Sequence, residues 1–160
     1  MALKHRIEQP ERARSWYGEM PVQHLYTAGI AGETFLRELK DKGRFIGTAC
    51  PDCDEVYVPG KAFCQKCFAR LEDWVPVGPK GTVESWTVVL VGLDGKPLKH
   101  PEVVGLINLD GATTNIVHRL GEVDLEELCI GMRVEPVLKP RARRAGSVND
   151  ILHFKPASLK

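Results

Sequence analysis

The chain has 160 residues, 43% apolar and 27% charged, which is the composition of a globular protein and not of a disordered one. That length holds one ordinary domain or two small ones. Its 22 basic and 21 acidic side chains leave a formal charge of +1, without the basic excess of a general nucleic-acid binder. The longest apolar stretch, Val88 to Val91 with its flanks, falls far short of the roughly 20 residues that cross a bilayer. The first residues lack the apolar core of a secretory signal. The chain therefore reads as a soluble cytoplasmic protein.

Residues 1–31 read as an N-terminal arm, partly helical, because Pro21, Gly29 and Gly32 interrupt any long helix. Trp16, Tyr17, Met20, Leu25 and Tyr26 form an apolar set on that arm, which needs cover from a partner or from the chain's own domain. From Glu33 to Lys42 the periodicity predicts a helix, with Phe35, Leu36 and Leu39 on one face and Gly43 placed for a left-handed cap. Two cysteine pairs follow, Cys50-x-x-Cys53 and Cys64-x-x-Cys67, ten residues apart, with Val56 to Val58 as a short strand between them. Helix and cysteine pairs make a unit over residues 32–78, closed by the turn Gly78-Pro79-Lys80-Gly81.

Residues 79–160 have the texture of strands. Thr82 to Val91, Val103 to Leu109, Thr113 to Leu120, Arg133 to Leu138 and Ile151 to Phe154 are the predicted five, with turns at Asp94-Gly95 and Asp110-Gly111. Asp124 with Glu127 three residues on has the form of a capping box, so a short helix is expected over Asp124 to Leu128. Five short strands with a helix between the third and fourth is the layout of an OB-fold barrel, although periodicity alone leaves other small barrels open. Lys139, Arg141, Arg143 and Arg144 crowd the loop before the last strand. They can hold a phosphate by bidentate contacts or form a solvated hairpin tip.

Paired Cys-x-x-Cys knuckles in a reducing compartment bring four thiolates to a tetrahedral point, which suits zinc. Two disulfides or an iron centre would draw on the same four residues. Four protein ligands leave no open position, so the site is expected to be structural. Asp54 and Phe68 follow the second cysteine of each knuckle, where glycine eases the turn, and Phe68 is expected to distort its knuckle. Cys129 reads as a small buried apolar residue beside Leu128 and Ile130. The histidines at 5, 24, 100, 118 and 153 are scattered, and no nucleophile elbow, phosphate loop or dinucleotide fingerprint occurs, so no catalytic residue is assigned.

Phe35 to Gly43, the two cysteine pairs, Val56-Tyr57-Val58-Pro59, Gly81 to Thr87, Leu109-Asp110-Gly111, Gly131 to Glu135 and Phe154-Lys155-Pro156 together resemble the DUF35 proteins. The resemblance covers residues 33–157 and implies a mainly β fold, in which an N-terminal helix and a rubredoxin-like zinc ribbon precede a five-stranded OB-fold. Asp54 and Phe68 depart from the family's knuckle glycines. The resemblance further implies a non-catalytic accessory subunit bound to a thiolase-like enzyme in a hetero-oligomer. Acetoacetyl-CoA thiolases, steroid side-chain aldolases and thiolases of aromatic catabolism such as benzoylsuccinyl-CoA thiolase are the partners it implies. The partner would supply the nucleophilic cysteine and bases, and an acyl-CoA would be shared between the two. A nucleic-acid-binding zinc-ribbon/OB-fold protein and a free-standing acyl-CoA-binding module are the competing readings, the first opposed by the charge balance and the 7% aromatic content.

Overall fold

Helix α1 spans Gly29–Lys42 and buries Phe35 and Leu39. It begins one turn ahead of the expected start, so Glu33 lies inside the helix and pairs with Arg37 four residues on. The computed structural model describes residues 27–158, and the arm residues Trp16, Tyr17, Met20, Leu25 and Tyr26 lie outside them. Gly43 ends α1 with φ +66°, its N–H returning to the Leu39 carbonyl at 3.0 Å.

Strand β1 (Phe45–Ala49) is the centre of a three-stranded antiparallel sheet, flanked by β2 (Val56–Tyr57) and β3 (Asp73–Val77). Neither β1 nor β3 is predicted by the sequence pattern. A five-residue strand interrupted by Gly47 carries little local signal; its four leading residues are buried because β1 is the central strand and Phe45 and Ile46 enter the core. The cysteine knuckles lie at β1–β2 and in the connection from β2 to β3.

The five strands of the second half are β4 (Gly81–Val91), β5 (Pro97–Leu109), β6 (Asn115–Leu120), β7 (Arg133–Leu138) and β8 (Ile151–Pro156). They close into a barrel in the order β4-β5-β6-β8-β7. Closure takes two contacts: Gly81 and Thr82 of β4 pair with β7, and Leu120 of β6 bridges Phe154 of β8 in parallel. The expected helix over Asp124 to Leu128 is a single turn. Asp124 accepts the Glu126 N–H at 3.0 Å, and the Glu127 N–H reaches only the Asp124 carbonyl at 3.2 Å. Only Leu128 of this segment reaches the core, so there is no second apolar position to hold a helix in place.

One apolar core runs through helix, ribbon base and barrel. Phe35 meets Phe45 at 6.2 Å between ring centroids, and Phe45 meets Phe154 at 6.3 Å. Ile46, Val58 and Val77 of the ribbon join Val83, Ile107, Leu109 and Val134 of the barrel in the same cluster. A second, much smaller cluster of Cys50, Tyr57, Cys64 and Leu71 fills the ribbon tip. Beyond the barrel wall, the β4–β5 hairpin is exposed on both faces, and Leu90, Val91 and Leu93 are bare near its turn. Among the described residues no helix is long and apolar enough to cross a membrane.

Candidate metal centre

Both knuckles fold by the same local hydrogen bond. The Cys50 N–H donates to the Glu55 carbonyl at 2.7 Å, and the Cys64 N–H donates to the Ala69 carbonyl at 2.8 Å. Each turn needs a left-handed residue, supplied by Asp54 at φ +57° and Phe68 at φ +62°. The second knuckle is therefore as regular as the first, against expectation. Phe68 holds this disfavoured conformation, against the crowding of its Cβ by the backbone, with its ring 78% exposed.

The four sulfurs of Cys50, Cys53, Cys64 and Cys67 lie within 4.8 Å of one another, and Cys50 Sγ is 3.5 Å from Cys67 Sγ. A zinc ion with Zn–S bonds of about 2.3 Å sets tetrahedral S···S edges of roughly 3.8 Å, which these separations bracket. A disulfide would need about 2.05 Å, and none of the five cysteines is joined to another. Cys50 and Cys64 are buried, Cys53 is half-buried and Cys67 is exposed. A hydrogen bond with Cys67, then burial, pushes the Cys53 thiol up to about 12, whereas the hydrogen bond from the Tyr57 hydroxyl draws Cys64 down to about 6 against the effect of burial. Sulfurs this close ionise together only around a cation. The donor set is that of one structural zinc, closed by four thiolates.

Sequence reading overlooked the polar residues that fix this end of the ribbon. Thr48, fully buried on β1, accepts the Lys61 N–H at 2.8 Å and donates to the Lys61 carbonyl at 3.0 Å. From the barrel, Thr113 and Thr114 on the β5–β6 connection grip strand β2. Thr113 Oγ1 accepts the Val56 N–H at 3.0 Å and donates to Glu55 at 2.7 Å, while Thr114 Oγ1 accepts the Val58 N–H at 2.8 Å. Glu55 also pairs with Lys66 between the two cysteines of the second knuckle. The metal centre is thus tied to the barrel by hydrogen bonds spanning 56 to 58 residues of sequence, which no local pattern announces.

The basic cluster is divided. Arg144 turns inward: its Nε donates to the Lys139 carbonyl at 2.8 Å, and Nη1 reaches the Lys40 and Leu39 carbonyls at 3.4 and 3.5 Å, capping α1. A Cβ at Gly43 would come within 2.6 Å of that Nη1 and displace the guanidinium from its cap, while the φ of +66° is what calls for glycine there. Lys139 Nζ lies 3.9 Å from buried Asp150. Arg141 and Arg143 stand exposed on a short 3-10 turn. Asp150 accepts the N–H groups of Ala145, Gly146 and Ser147 at 2.9, 2.7 and 3.2 Å. The signal for it was the Ser147-x-x-Asp150 capping box, present in the sequence and formed in the structure.

Cys129, expected in the core, is exposed. Without a helix over this segment, Leu128 alone turns inward and Ile130 is 70% exposed. Of the histidines among the described residues, His118 packs edge-on against Phe154 at 5.8 Å inside the barrel, and His153 pairs with Glu122 at 3.1 Å.

Two family models match in tandem. Residues 37–72 match the ChsH2 rubredoxin-like zinc ribbon domain, and residues 74–139 match the ChsH2 C-terminal OB-fold domain. A DUF35 domain-containing scaffold protein from Methanocaldococcus jannaschii is 30% identical over 124 residues, covering 75% of this chain and 86% of that protein. The chain belongs to the DUF35 family. Two solved structures share the fold of this DUF35 chain. A DUF35 protein of unknown function from Sulfolobus solfataricus superposes with a TM-score of 0.63 at 22% identity, over 81% of this chain and 87% of that one. The Ltp2-ChsH2(DUF35) aldolase superposes with a TM-score of 0.56 at 23% identity, over 79% and 94% respectively.

Proposed function

We propose that this DUF35 chain is a non-catalytic accessory subunit that assembles with a thiolase-like enzyme acting on an acyl-CoA. The observation that carries the reading is the projecting β4–β5 hairpin, whose Leu90, Val91 and Leu93 are exposed on a ribbon with both faces open. An isolated two-stranded hairpin with apolar residues near its tip is marginal in water and gains its order by docking. Near its base lies a shallow groove of about 210 Å³ lined by Trp86, Val104, Leu106 and Val117, which continues the apolar surface. The four-cysteine site is closed and offers no position for substrate. The description of the methanogen relative as a scaffold protein, and of the solved neighbour as an aldolase joining Ltp2 to ChsH2, supports a partner-bound role.

In this reading the arm residues Trp16, Tyr17, Met20, Leu25 and Tyr26 add to the partner contact. Arg141 and Arg143, which pair with no carboxylate among the described residues, face the CoA phosphates or an acidic patch of the partner, while Lys139 and Arg144 hold the fold. Tagged chain recovered from its native cell, with its bound proteins identified by mass spectrometry, tests the proposal. A thiolase-like protein in stoichiometric amount is expected, and its recovery should fall when Leu90, Val91 and Leu93 are changed to serine. Recovery of the chain alone at native concentration, or acyl transfer by the purified chain without a partner, overturns it.

A further inference from the structure

The four sulfurs of the metal centre meet unequal surroundings. Cys67 is exposed, whereas Cys64 is 1% exposed and faces Tyr57, itself 2% exposed. Tyr57 Oη lies 3.2 Å from Cys64 Sγ, and the Gln65 N–H donates to the same Oη at 3.1 Å. A zinc-bound sulfur is a thiolate with no proton to give, so the hydroxyl is the donor in this pair. A relay results, running from the Gln65 amide through the phenol to the sulfur. The Lys66 N–H reaches the same Sγ at 3.4 Å. Pairing of Tyr57 with Thr48 across β2 and β1 fixes the tyrosine backbone, and Lys61 Nζ stands 5.0 Å from the ring centroid. The ring therefore has little freedom to swing its hydroxyl elsewhere.

We propose that Tyr57 is a positioning residue of the zinc centre, whose hydroxyl orients Cys64 Sγ and withdraws charge from it. A charge-assisted hydrogen bond in a buried site is stronger than its counterpart in water, and outer partners of this kind tune both affinity and electronic structure of a metal site. Cys64 becomes the least reactive of the four ligands, and the exposed Cys67, the other cysteine of the same knuckle, the first sulfur open to electrophiles.

The test uses the full chain loaded with zinc or with cobalt(II). Tyr57→Phe keeps the ring and removes the donor. Zinc affinity, read by competition with a chromogenic chelator, is expected to fall roughly tenfold. The sulfur-to-cobalt charge-transfer band is expected to move to longer wavelength, because an unbonded thiolate gives up its electron more readily. Leu71→Ala, in the same small cluster, serves as the packing control: it lowers stability and leaves the band in place. Protein carrying 3-fluorotyrosine retains ring and hydroxyl with a stronger donor, and its band should move to shorter wavelength. Parent-like affinity and band position in Tyr57→Phe overturn the assignment. Should that variant not fold, an unmoved band in the fluorotyrosyl protein overturns it instead.

Discussion

The tip and the base of the zinc ribbon are built from the same short sheet and obey different physics. At the base, Phe45, Ile46 and Val77 enter an apolar core shared with α1 and the barrel, and burial of large side chains supplies the stability. At the tip, the buried cluster is Cys50, Tyr57, Cys64 and Leu71, two of them metal ligands, and the rest of the order comes from hydrogen bonds. A segment with so little apolar volume cannot offset the entropy of ordering two knuckles without a cation. The tip is a metal-organised structure standing on a conventionally packed one, and the Thr113–Thr114 grip is the seam between them.

The largest effect that sharpens this contrast is metal removal. Apparent binding energies of structural zinc run to about 10 kcal/mol or more. Complete chelation is therefore expected to release the amides of Gln65 and Leu71 to fast hydrogen exchange, while those of Ile107 and Val134 in the barrel stay protected. Full protection at the tip after chelation would break the contrast. Next in size is Phe154→Ala. Phe154 is fully buried where β8 meets Phe45 and His118, and its loss should cost about 3–5 kcal/mol in denaturant unfolding. Because the core is continuous, ribbon base and barrel should unfold together. Two separate transitions would show that they are independent units.

A smaller effect separates polar from apolar support within the barrel. Burial pushes the Asp150 carboxyl up, but the N–H groups of Ala145, Gly146 and Ser147, with Lys139 nearby, hold it below the usual carboxylate range. A carboxyl depressed in the folded state contributes stability above its unfolded pKa, and that contribution is lost as pH falls through the folded value. Asp150→Asn is expected to cost about 2–3 kcal/mol at neutral pH and much less once the pH has fallen through the depressed folded value, measured by urea unfolding across the acid range. A penalty independent of pH would assign the loss to packing. The smallest effect has the opposite sign. Phe68→Gly relieves a bulky residue at φ +62° and should stabilise the second knuckle by about 0.5–1 kcal/mol, read as slower zinc release. No gain would mean that the exposed ring makes a contact that offsets its strain.

How far the sequence could be read depended on the range of each interaction. The knuckles were legible because their geometry is set within six residues, and the helix Gly29–Lys42 because its apolar face and Gly43 cap repeat locally. Four of the five barrel strands begin within two residues of expectation, and β5 extends six residues further back, to Pro97. Those six residues include His100 and Pro101 and carry no alternation; they are strand because β4 opposite them is. The helix expected after Asp124 failed for the converse reason: the cap was present and tertiary support was not.

The metal ligands, the order of helix, ribbon and barrel, and the family were legible in one dimension, since each rests on local spacing and pattern. Which polar residues serve the fold was settled by packing. Arg144 looks like Arg141 and Arg143 in the sequence, yet it alone reaches back 104 residues to cap α1. Thr113 and Thr114 look like the first residues of a barrel strand and clamp the ribbon, and Tyr57 looks like one more apolar strand position and bonds a metal ligand. A hydrogen bond depends on two groups meeting within about 3 Å in a fixed direction. Between residues distant in sequence, that meeting is a property of the packed chain alone.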